Sequence, residues 1–415
     1  DFQLICYVDS LRGIELMDRA LREAGTPARD AEVVCLGESM VTFLPRAPGR
    51  LAEVPAFDRA IGGAESNVAC TLARAGHTAR WVSRVGTDGF GDHLLAAVAG
   101  CGVDTSHVQR DPLRPTGIYF RTAGERATGL DGETADRGEV LYYRAGSAAS
   151  AMTPGLLDRA ALHRARILHL TGITAALSDG CLDVLRTLTR RTPDRPLVSF
   201  DVNYRAGLWR DPAQGPGLLL GLARGCDLVF VGEDEAAAAW DLHGSGAVRA
   251  ALPEPATLVV KHGAAGATAF DRQADGTDAV TFAPGLRVEV VAPVGAGDAF
   301  AAGFLSGTLR ALPVVTRLRL GHLMAAASLT VPGDLGTPPG RALADRLAAL
   351  APADWAALRL GPGWTADGGH RTGGGTGAGN GTVPDPRTPN PPATARPSTA
   401  ERHAPCRSRD SEVRT

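Results

Sequence analysis

An α/β fold built on a doubly wound, mainly parallel sheet with a small β lid is predicted by three observations. Short apolar strand candidates begin at Val33 and recur at 167–170, Leu197–Asp201, 228–231 and 258–261, with Ala- and Leu-rich helical stretches between them. Strands covered on both faces read as continuous apolar runs, and their alternation with helices implies parallel crossovers in three layers. Two stretches, roughly 39–60 and 116–144, break this rhythm by mixing Thr, Tyr, Phe and Val with polar residues and turn formers. That mixture suits a half-exposed sheet lying over a cleft. The third observation is bulk: 415 residues, 44% hydrophobic and 21% charged, provide a large core.

Composition narrows the function. A formal charge of -2 and the lack of any block of Lys and Arg leave no field for a polyanion, so nucleic acid is not an expected partner. The seven cysteines, at 6, 35, 70, 101, 181, 226 and 406, show no metal-ligand spacing and read as reduced thiols. Apolar stretches stop short of membrane-spanning length, and no basic segment with an apolar core opens the chain. A soluble cytoplasmic protein without membrane contact is expected. One α/β domain is expected over 31–352. Residues 1–30 offer one strand and one helix without a core of their own and are given no role. Residues 361–415, rich in Gly, Pro, Thr and Arg, are expected to be disordered because they cannot offset the entropy of ordering.

The most informative segment is APVGAGDAFAAGF, residues 292–304. Gly295, Ala296 and Gly297 are small enough to bring backbone N–H groups against a phosphate, and the helix that follows adds its partial positive charge. Asp298, at the rim of this anion hole, is a poor phosphate ligand and a well-placed proton acceptor for an attacking alcohol. An ordinary strand-to-helix turn with an Asp in its first turn is the plain alternative. A second Gly-rich turn, GGAESNVACTLARA at 62–75, leads into a helix with Asn67 one turn inside. Asn67 can donate to and accept from sugar hydroxyls.

Together, these two segments resemble the paired signatures of the PfkB carbohydrate kinases, in the family's order, and the likeness runs from about 31 to 350. The resemblance implies a ribokinase-like fold, ATP and Mg²⁺. The strings CLGESMVTFLP, TGIYFR, YYRAGSAAS and DVNYRAGLW further resemble the 2-keto-3-deoxygluconate kinases within that family. A sugar acid carries a carboxylate, for which Arg144 and Arg205 are suitable bidentate partners. In that subgroup, positions matching Gly63, Tyr119, Tyr142, Arg144 and Arg205 line the substrate pocket, and Asp334 matches a further substrate contact. On the nucleotide side the resemblance covers KHGAAGA, with Lys261, Gly263 and Gly266; a Gly-rich hairpin turn is the plain alternative. It also implies a homodimer joined through lid strands.

Two positions depart from the family pattern. Gly232 stands where an Asn usually opens an Asn-x-x-Glu element, leaving Glu235 to organise Mg²⁺ indirectly, through water. Ala292 stands where an Asp often accompanies monovalent-cation binding, which implies weaker K⁺ dependence than in ribokinase-type enzymes. Sequence alone leaves three readings: a kinase for 2-keto-3-deoxygluconate, a fructokinase- or ribokinase-like enzyme for another sugar, and a silent sugar or nucleotide sensor. The intact GAGD argues against the last.

Overall fold

The computed structural model describes residues 31–47, 49–122 and 139–366. The expected elements of residues 1–30, and the tail beyond 366, lie outside the described residues. Thirteen strands carry the two sheets that matter for function: β1 (Val33–Leu36), β2 (Met40–Pro45), β3 (Phe57–Gly62), β4 (Ala79–Gly86), β5 (Val108–Asp111), β6 (Ile118–Arg121), β7 (Val140–Tyr143), β8 (Ile167–Thr171), β9 (Leu197–Asp201), β10 (Leu228–Gly232), β11 (Thr257–Lys261), β12 (Gly266–Arg272) and β13 (Asp278–Pro284). The main sheet has the order β13-β12-β11-β10-β9-β8-β1-β4-β5. It is parallel from β11 to β5, and β12 and β13 close one edge as an antiparallel hairpin. Chain order reverses at β1, which has β4 on one side and β8 on the other, so a crevice opens at the carboxyl ends of the strands there.

Helices cover both faces, and the strands alternate between them with period two. Val34, Leu168, Val198 and Val229 pack with Leu185 and Leu222 on one side. Val33, Trp81, Phe230 and Val259 pack with Val68, Leu72, Phe300 and Phe304 on the other. The second face matters more, because it seats the two helices that begin with the Gly-rich turns, Ala64–Arg74 and Ala296–Leu309. Phe230 meets Phe300 and Phe304 edge-on at 6.4 and 5.5 Å, fixing the second helix on β10. Small residues let it approach its neighbour: a Cβ at Gly303 would collide with Leu320 O, and one at Gly321 would lie 2.9 Å from the Phe300 ring.

Strands β3-β2-β6-β7 form the lid from the two stretches the sequence set apart. Pairing is antiparallel except between β2 and β6. Register places Thr42, Tyr119 and Tyr142 in one row and Phe43, Phe120 and Leu141 in the next, which alternation puts on the opposite face. Phe43 stacks on Phe120 at 4.7 Å. Packing also runs past residue 352: the helix Pro352–Ala357 buries Trp355, whose indole donates to Pro284 O at 2.9 Å.

Candidate active site

The carboxyl ends of β1, β9, β10 and β11 deliver charged side chains into the crevice. Lys261, the last residue of β11, donates to both oxygens of Asp201, the last residue of β9, at 3.1 and 2.8 Å. Asp201 is 2% exposed, and burial raises its pKa against the pull of Lys261. Burial alone would lower the Lys261 ammonium; Asp201 and Glu235 outweigh it and hold it above its ordinary value. A Cβ built on Gly297 would lie 3.6 Å from the Lys261 ammonium, so that cation sits beside the Gly-rich turn. It is also the chain's only lysine among 43 Lys and Arg residues.

The Gly-rich turn expected to form the anion hole runs straight into a helix. Gly295 caps the helix Ala296–Leu309 with φ 74, a left-handed conformation, and a Cβ there would collide with Asp334 O. Ala296, Gly297 and Asp298 open the helix, and first-turn N–H groups have no intrahelical acceptor, so they are available to an anion. Asp298 is partly exposed at this rim. Its Oδ2 accepts from the Asn67 amide at 2.9 Å, which joins the two Gly-rich segments directly. Burial pushes the Asp298 carboxyl up to about 7; the Asn67 bond and Lys261 oppose this, while Asp201 and Asp334 add to it.

Of the residues expected on the sugar side, Tyr119 and Tyr142 stand on the lid strands β6 and β7. Tyr119 is buried, and its hydroxyl donates to Asp334 Oδ2 at 3.1 Å. The Tyr142 ring lies 5.4 Å from that of Tyr119, with the Arg144 guanidinium 5.6 Å over it. Gly63 lies where Glu38 and Ser39 pass so closely that a Cβ would sit 2.5 Å from Glu38 O. Gly263 and Gly266, with φ of 56 and 137, form the turn between β11 and β12, so the hairpin expected as the plain alternative is present.

The two arginines of the expected carboxylate clamp are each already paired. Arg144 Nε donates to Glu38 Oε2 at 2.8 Å, and its Nη2 meets the same oxygen. Arg205 Nη1 donates to Glu235 Oε1 at 3.1 Å and lies within electrostatic reach of Asp298. Glu235 Oε2 in turn accepts from the Gly232 N–H at 2.9 Å, so this carboxylate caps its own helix. Burial raises the Glu235 carboxyl, and Lys261 and Arg205 outweigh it, leaving it below its ordinary value.

Sequence reasoning missed four charged residues here. Glu38 holds Arg144 and also accepts from Ser147 Oγ. Asp201 holds Lys261, and Arg121 donates to Asp334 Oδ1 at 3.0 Å. Glu65 lies fully buried beneath the turn at Gly37, accepts from Thr171 and Thr174, and is pushed up to about 7 by burial. The signal available was a charge within or at the end of an apolar run, as in LVSFD and IYFR.

Residues 30–339 match the profile described as pfkB family carbohydrate kinase. The chain belongs to that family. It is a sugar kinase with the ribokinase-like fold. It is 35% identical to the 2-dehydro-3-deoxygluconokinase of Bacillus subtilis over 77% of this chain and 96% of that one. It is 30% identical to the probable chloroplastic fructokinase-6 of Arabidopsis thaliana, over 76% of this chain and 81% of that one. A crystal structure of a PfkB protein from Polaromonas sp. JS666 superposes with a TM-score of 0.64 at 35% identity, covering 77% of the kinase and 100% of that chain.

Proposed function

We propose that this kinase transfers the γ-phosphate of ATP to the terminal hydroxyl of 2-keto-3-deoxygluconate (2-dehydro-3-deoxygluconate), giving the 6-phosphate, with Asp298 as base. One observation carries the reading: a carboxyl held near neutrality by burial stands in the same helical turn as free N–H groups, with the Lys261 ammonium alongside. The sugar hydroxyl gives its proton to Asp298 Oδ1 or Oδ2 as its oxygen attacks phosphorus in line, and ADP leaves. The N–H groups of residues 296 to 298 and Lys261 take up charge on the transferred group. Mg²⁺, when bound, neutralises phosphate oxygens. Glu235 has one oxygen on the Gly232 N–H and the other on Arg205, so it would reach that ion through water, as Mg²⁺ is commonly held. Gly263 and Gly266 would flank the nucleotide at the end of β11.

The sugar-acid assignment draws on the similarity to the Bacillus subtilis enzyme and on the arginines beside the lid. On this reading the substrate carboxylate competes with Glu38 for Arg144 and with Glu235 for Arg205. Gly63, Asn67, Tyr119, Tyr142 and Asp334 line the rest of the sugar pocket. The fructokinase likeness supports a second reading, a neutral ketose, in which both arginines keep their internal partners. An ADP-release screen over gluconate-derived and neutral sugars decides between them. Asp298→Asn is expected to keep sugar binding in calorimetry and lose phosphoryl transfer; turnover at the wild-type rate removes Asp298 from the base role.

A further inference from the structure

Four segments of the chain converge on Asp334, two on its carboxylate and two on its main-chain carbonyl. From lid strand β6, Arg121 Nη2 donates to Oδ1 at 3.0 Å and the Tyr119 hydroxyl donates to Oδ2 at 3.1 Å. These residues are two apart, so one face of the strand presents both. The same Arg121 nitrogen reaches Pro332 O at 3.1 Å, gripping the Asp334 loop at two points. The two Gly-rich turns close in from below. A Cβ on Gly62 would collide with the Tyr119 hydroxyl and sit 2.7 Å from Asp334 Oδ2, and one on Gly295 would collide with Asp334 O. Ser328 Oγ, 3.0 Å from Asp334 O and 3.1 Å from Val294 O, ties the loop to the anion turn. Asn67, bound to Asp298, is also in hydrogen-bonding reach of Asp334.

We propose that Arg121 is a positioning residue, which fixes Asp334 so that the anion turn and Asp298 reach their working arrangement only when the lid strand is seated. Arg121 and Asp334 are 6% and 7% exposed, so each depends on the other to satisfy a buried charge. Arg121 Nε has no partner, which leaves the grip on Pro332 and Asp334 as the contacts that orient the guanidinium among the described residues. Lifting β6 withdraws Arg121 and Tyr119 together, and a lone carboxylate then faces both Gly-rich turns. Lid seating and assembly of the transfer site thereby become one event. This inference rests on the reading of Asp298 as the base.

The test compares Arg121→Met, Arg121→Lys, Asp334→Asn and the double variant Arg121→Met/Asp334→Asn, using whichever sugar the wild type phosphorylates. Expected for Arg121→Met is a kcat lower by about tenfold to a hundredfold, the scale of a misplaced reacting group, with KM for ATP within about twofold. Arg121→Lys restores part of it. The double variant removes the stranded charge and regains the wild-type melting temperature without regaining kcat. The acid limb of kcat supplies an independent readout. Asp298 is faced by Asp201, Asp334, Lys261, Arg205 and Asn67, so loss of the Asp334 charge in Asp334→Asn removes one repulsion and moves the limb to lower pH, whereas Arg121→Met leaves the Asp334 carboxylate without its cation and moves the limb to higher pH. A double variant with wild-type kcat overturns the proposal, as does a kcat loss with an unmoved limb. Asp298→Asn assayed alongside reports separately on the base, so a failure of that reading is distinguishable from a failure of the Arg121 grip.

Discussion

Replacing the Asp298 carboxyl by its amide should make this protein more stable, and the gain should depend on pH in a defined direction. Asp298 has its pKa raised by burial from an ordinary 3.8 to about 7. The folded chain therefore keeps a proton that the unfolded chain has released. The stabilisation from that proton is complete below 3.8 and is lost as pH rises through about 7. Above that, the native state carries a carboxylate beside those of Asp201 and Asp334. The side chain introduced by Asp298→Asn would be neutral at every pH and would still accept from Asn67 through its amide oxygen. Moving proton affinity from 3.8 to about 7 corresponds to a ceiling of about 4 kcal/mol at about 1.36 kcal/mol per tenfold change. The solvent-facing edge of Asp298 and screening reduce this to about 2 kcal/mol. At about 2.1 cal/mol/K of unfolding entropy per residue, that is a rise of about 3 °C in melting temperature. Calorimetry of both proteins from pH 5 to pH 8.5 reads it. The gap between variant and wild type should widen with pH. Parallel melting curves across the range, or a variant less stable at pH 8, would refute the electrostatic account of this site.

Three further outcomes follow from the same geometry. Arg144→Met should cost about 3–5 kcal/mol by stranding Glu38, which is 3% exposed; pairing it with Glu38→Gln should recover stability. In that double variant KM for the sugar acid should rise about tenfold to a hundredfold, from a lost charge-assisted bond of about 1.5–3 kcal/mol, with no comparable change for a neutral sugar; equal changes for both sugars remove Arg144 from carboxylate recognition. Lys261→Met should lower kcat by on the order of a hundredfold, and Lys261→Arg should not restore it, because the planar guanidinium cannot occupy the space between Asp201 and the Gly297 backbone; wild-type turnover in the arginine variant argues against the role. Ala292 offers no side-chain ligand before the turn at Gly295, so rates in K⁺ and in an organic-cation buffer should be similar, and strong specific K⁺ activation contradicts that reading.

The layered fold was legible because its cause is local. LVFV is apolar throughout, LVVK up to its last residue and LVSF except at Ser199, and short runs of that kind suit strands covered on both faces. The turn from Gly295 into its helix was legible for the same reason: left-handed Gly295 and the small residues after it are neighbours in the chain. Pairing between distant charges was not. Arg144 and Arg205 are recognisable as cations, yet their partners Glu38 and Glu235 lie 106 and 30 positions away. The sequence therefore suggests an open clamp where the folded chain holds two closed ion pairs. Asp334 reads as a sugar contact, and its two carboxylate oxygens are occupied by Arg121 and Tyr119, more than 200 positions upstream. Periodicity carries no information about such meetings, because they are set by strand order in three dimensions.

Confinement of the side-chain amines to one position has a practical consequence. Reagents that acylate or reductively alkylate amines have a single internal side-chain target in this chain, seated between Asp201 and the turn at Gly297. Modification of this one side chain would break its ion pair with Asp201, so lysine-directed immobilisation or cross-linking acts on the buried crevice of the sheet rather than on a spread of surface positions.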